Sequence, residues 1–80
     1  MKFPTLHVNG TGKAMLVKTF SEAITALEAA RAAVAQTEVH PRDFPLGGWD
    51  EARAEKDQQL QNIQQAVEWA EAHLAHFFSI

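Results

Sequence analysis

Two runs of apolar residues spaced by threes and fours fix most of what this chain can become. Leu60, Ile63, Val67, Ala70, Leu74 and Phe77 recur at steps of 3, 4, 3, 4 and 3. Upstream, Leu16, Phe20, Ala23, Leu27, Ala30 and Val34 recur at steps of 4, 3, 4, 3 and 4. Such spacing aligns side chains along one side of an α-helix, the pattern of a helix packed lengthwise on another. Between the runs stand Pro41, Pro45, Gly47 and Gly48, and neither proline suits a helix interior. The expected fold is therefore all-α, an antiparallel two-helix hairpin in a single domain. Its parts are a short extended N-terminal arm over 1–12, a helix over about 13–37, a loop over 38–49 and a helix over about 50–79.

Local signals mark the ends. Pro4 opposes an early helix, and Asn9-Gly10-Thr11-Gly12 reads as a turn in which Thr11 is placed to cap the first helix. A rival reading starts that helix at the capping box Thr19-x-x-Glu22 and pairs residues 5–8 with 14–18 as a β-hairpin. The longer helix is preferred, because Leu16 and Phe20 already lie in the stripe. Asp50 is the expected cap of the second helix. Asp50, Glu51 and Glu55 suit its positive end, and His73 and His76 its negative end.

With 80 residues, two helices bury one stripe each and leave their other sides wet. Chains of this size commonly complete a core by oligomerising. Trp69, His73, His76 and Ile80 form a second, flanking face, and Val17, Ile24, Ala26 and Ala33 widen the first helix's surface. That face suits either the arm, through Phe3 and Leu6, or a second copy. A homodimer closing a four-helix bundle is the expected assembly.

A net charge of −3 argues against a general nucleic-acid binder, which needs a basic face. No cysteine is present, which excludes disulfides, zinc–thiolate sites and thiol catalysis. No run approaches the ~20 apolar residues of a membrane span. Pro4, His7 and Asn9 interrupt any signal-peptide core, so a cytoplasmic protein is expected and the Asn9-Gly10-Thr11 sequon carries no glycan.

Few constellations carry chemistry. Gly10-Thr11-Gly12-Lys13 lacks the earlier glycine and the following Ser or Thr of a phosphate loop. His73 and His76, near Glu68 and Glu71, have the spacing of two metal ligands and would need His7 or His40 to add more. They are read as surface histidines at a helix end, with no metal or cofactor expected. Ser21 and Ser79 have no local histidine partner, so no enzyme is expected. In the loop, Arg42-Asp43-Phe44-Pro45 and Trp49 combine charge with aromatics, as interface anchors do. The plainer reading, preferred here, has Arg42 and Asp43 pin the loop while Phe44 and Trp49 plug the bundle end. The candidate partner-binding residues are Arg42, Asp43, Phe44, Trp49, Trp69 and His73.

His7-x-Asn9-Gly10-Thr11, an alanine-rich helix, Pro41-Arg42-Asp43-Phe44-Pro45 with a glycine soon after, and a long closing helix together resemble small bacteriophage and prophage accessory proteins. The pattern departs at Phe44 and Gly12, where that group would carry tyrosine and serine. Gln65-Ala66-Val67-Glu68-Trp69-Ala70 is similar to the closing helix of phage hairpin proteins that sequester cyclic nucleotides. The first resemblance implies a non-enzymatic phage protein that binds a host or phage protein, with inhibition of a host defence or regulatory system as one use of such binding. The second implies an oligomeric sponge for an anionic nucleotide, with Arg42, Lys13 and Arg53 as candidate phosphate contacts. A phage structural or assembly protein is the third reading.

Overall fold

A computed structural model describes residues 1–6, 10 and 12–80. Two helices make up most of it: α1, Lys13–Ala35, and α2, Trp49–Phe78, with a 3-10 turn at Pro41–Asp43 between them. They pack antiparallel into a rod of 61 × 20 × 18 Å. Among the described residues there is no strand, and no helix is long and apolar enough to cross a membrane.

Residues 14–18 lie inside α1, so the hairpin alternative is excluded on that side; its residues 7 and 8 lie outside the described residues. Thr19 does not cap a helix. Its hydroxyl donates back to the carbonyls of Met15, at 3.0 Å, and Leu16, as a threonine inside a helix does. Thr11 also lies outside the described residues, and Gly12 occupies the cap position of α1.

The bend is shorter-ranged than its length suggests. The backbone N–H groups of Asp43, Phe44 and Gly47 donate to the carbonyls of His40, Pro41 and Phe44, each at 3.0 Å. Gly47 and Gly48 then take φ of +94° and +96°, a left-handed conformation open to glycine at little cost. Gly48, not Asp50, caps α2, which begins one residue earlier than expected; Asp50 and Glu51 occupy its first turn, where the helix dipole favours them.

α1 ends at Ala35, with no basic side chain of its own in the last turn. The cation comes from α2 instead. Lys56 Nζ donates to the carbonyls of Ala35 and Thr37, both at 2.9 Å. At the opposite end Lys13 Nζ donates to the backbone oxygen of Ile80 at 3.0 Å.

The core is narrow. Val67, Ala70, His73 and Phe77 of α2 are buried, and no residue of α1 is. From α1, Leu16, Phe20, Ala23, Leu27 and Val34 are half-buried. Two positions correct the expected stripes. Ala30 is exposed and Arg31 is half-buried in its stead, while His73 is sealed more completely than Leu74.

Candidate functional site

The six candidate residues do not gather in one place. Arg42, Asp43, Phe44 and Trp49 lie at the loop end, and Trp69 and His73 lie twenty residues along α2, roughly 30 Å away at 1.5 Å per residue.

At the loop end, Trp49 Nε1–H donates to the Val39 carbonyl at 3.2 Å, and the Arg53 guanidinium sits 4.8 Å from the centre of its ring. Trp49 therefore ties the loop to the first turn of α2. Phe44 is half-buried near Gly48. Arg42 and Asp43 are exposed, and among the described residues their side chains make no hydrogen bond or ion pair; it is the backbone N–H of Arg42 that donates, to His40 Nδ1 at 3.3 Å. The expectation that these two side chains pin the loop is thus not met. The pinning groups are Trp49 and backbone amides.

The other end holds an aromatic cluster centred on His73. Its ring stacks on Phe20, with centroids 5.0 Å apart and planes 8° from parallel. Trp69 lies 4.7 Å away, Phe3 of the arm 4.9 Å and Phe77 6.2 Å. Phe3 also stacks flat on His76 at 4.5 Å. The arm therefore covers the flank of α2 that a single-helix pattern leaves open. His73 is only 3% exposed, so it is not a surface histidine. A buried polar ring needs partners, and both nitrogens have one: Nδ1 lies 3.0 Å from the Trp69 carbonyl and Nε2 3.0 Å from the Lys2 carbonyl. The Lys2 contact could not be read from spacing, because it joins residues 71 apart.

Trp69 itself is 47% exposed. With Thr19, Phe20 and Ala23 it lines an open apolar hollow of about 160 Å³ on the side of the hairpin. At 100° per residue, Met15, Thr19, Glu22, Ala26, Ala30 and Ala33 run down the same side of α1. Met15 is 51% exposed. The apolar hollow at Trp69 is thus continued along α1 by small side chains that admit close approach, with Glu22 as the charged residue among them.

Among the described residues no three His, Asp or Glu side chains gather as a metal ion would require; His7 lies outside them. Lys13 opens α1, while Arg42 and Arg53 lie beyond its far end and on the first turns of α2. Over the 23 residues of α1, roughly 34 Å separate them, so one chain does not bring the three candidate phosphate contacts together. In comparisons with protein-family models, curated proteins and solved structures, the chain matches none.

Proposed function

We propose that this chain is a non-enzymatic binding protein that works as a twofold homodimer, a four-helix bundle closed through the Trp69 face. The observation that carries this reading is the surface of a single copy. It exposes 5910 Å², whereas a folded monomer of 8.9 kDa exposes about 4,800 Å². The excess, about 1,100 Å² by the same scaling, is comparable to the ~800 Å² that each partner contributes to an ordinary stable interface. Its radius of gyration, 17.9 Å, exceeds the ~12 Å of a compact chain of this length. Pairing two copies side by side would cover about that much surface on each and thicken a rod only 20 × 18 Å in section.

Light scattering across a concentration series tests this. The expected mass is twice 8.9 kDa, and Trp69→Glu, which places a charge in the apolar face, shifts the species to monomer while circular dichroism stays helical. A monomer at near-millimolar concentration, or unaltered dimerisation of Trp69→Glu, overturns the proposal.

The wider role we propose, a phage or prophage accessory protein that binds a host or phage protein, rests on the resemblance carried by the His7-to-Thr11 and Pro41-to-Pro45 motifs. The exposed Arg42 and Asp43 at the loop end are the side chains free to meet such a partner. The alternative of a nucleotide sponge requires Lys13 of one copy to stand beside Arg42 and Arg53 of the other; a raised melting temperature with cyclic nucleotides is its test.

A further inference from the structure

We infer that His73 is a proton-operated latch that holds the N-terminal arm against the aromatic end of the hairpin. The inference goes beyond the proposed dimer and does not depend on it, since ring and arm belong to one chain.

The geometry is one of donor counting. Both nitrogens of His73 face backbone carbonyls at 3.0 Å, Nδ1 that of Trp69 and Nε2 that of Lys2. A carbonyl can only accept. A neutral imidazole carries one N–H, whereas an imidazolium carries two. Only the charged ring donates to both carbonyls. When the proton leaves to solvent, one nitrogen turns a lone pair toward a carbonyl oxygen, and that contact becomes repulsive.

The arm contact is the one that gives way. Trp69 precedes His73 by one helical turn, so α2 itself holds Nδ1 beside its carbonyl. Lys2 is 71 residues distant, and seating it costs the arm its freedom. The remaining proton therefore stays on Nδ1, and the Lys2 carbonyl loses its donor. Phe3 remains as an apolar hold on His73 and His76, so the arm loosens without losing every contact.

The charged groups of the arm are the Met1 α-amino group and the Lys2 ammonium, on either side of the first peptide bond, and a pH dependence that came from them would survive removal of the His73 ring. Among the described residues, the arm presents the Lys2 carbonyl, and α1 presents the uncharged ring of Phe20. On α2 the titratable groups within a turn are Glu71 and His76, and His76 stacks on Phe3. Lys13 lies at the same end of the rod but is directed to the backbone oxygen of Ile80.

Amide hydrogen exchange of Lys2, Phe3, Thr5 and Leu6, corrected for intrinsic rates, tests the latch at about pH 5.5 and about pH 8, a span in which histidine side chains in general change charge. Protection is expected to be at least about tenfold greater at the lower pH, the scale of one charge-assisted hydrogen bond gained at the Lys2 carbonyl. His73→Gln, whose amide donates at either pH, should abolish the dependence, and His76→Gln should keep it. Long-range proton–nitrogen correlation spectra of the unaltered protein, which need no variant to fold, should show His73 carrying both protons at the lower pH and only the Nδ1 proton at the higher. Arm protection that does not change with pH, dependence that survives in His73→Gln, or a neutral ring protonated at Nε2 overturns the inference.

Discussion

Lys56 offers the sharpest test of how the hairpin is held shut. Its ammonium donates to two carbonyls left free where α1 ends, those of Ala35 and Thr37, at 2.9 Å each. Lys56→Met keeps the apolar stem and removes only the charge and the donors. A hydrogen bond to a charged group contributes about 1.5–3 kcal/mol when shielded. These two are exposed, share one donor nitrogen and immobilise a long side chain, so about 1–2 kcal/mol for the pair is the appropriate figure. For a domain of this size that corresponds to a fall of roughly 4–16 °C in melting temperature. The assay is thermal unfolding followed by circular dichroism at fixed protein concentration, because association would itself move the midpoint. Lys18→Met is the control: its ion pair with Glu22, at 3.4 Å, joins side chains that are each about two-thirds exposed, and losses below about 0.5 kcal/mol are expected there. Equal losses in the two variants would refute the view that α2 supplies the missing C-terminal cation of α1.

Two further outcomes follow from the core and the bend. Phe77→Ala removes a ring that is fully buried and packed edge-on against Phe20 at 5.2 Å; it should cost about 3–5 kcal/mol, read as a lower urea midpoint, and a cost under 1 kcal/mol would mean the arm or a second copy refills the space. Gly48→Ala should cost about 1 kcal/mol because its φ is +96°, although the nearest atom to an added Cβ is 4.0 Å away; an unchanged stability would show that the bend can reach another conformation.

Much of this architecture is legible in the residue order because it is local. A three-and-four stripe names Val67, Ala70 and Phe77 as core, and paired glycines after Pro45 name the bend. What escapes is whatever a distant segment decides. His73 sits on the flank of its own helix and becomes core only because the arm and Phe20 close over it. Lys56 looks like an ordinary exposed cation until the end of α1 arrives beside it. Arg42 and Asp43 resemble pins by composition, yet the bend is already fastened by Trp49 and by main-chain bonds. The candidate site is accordingly split. Its aromatic half depends on packing across the chain, and its charged half projects from a loop that does not need it.

The unequal burial of the two helices has a consequence for how this sequence can drift. No position of α1 is closed off on every side, whereas α2 has four that are. Replacements on the outward side of α1 chiefly redecorate a surface; those at Phe20, which packs on His73 and Phe77, or at Val67, Ala70, His73 or Phe77 alter the interior. Substitutions are therefore expected to be tolerated more readily on the outward positions of α1 than anywhere on the buried stripe of α2.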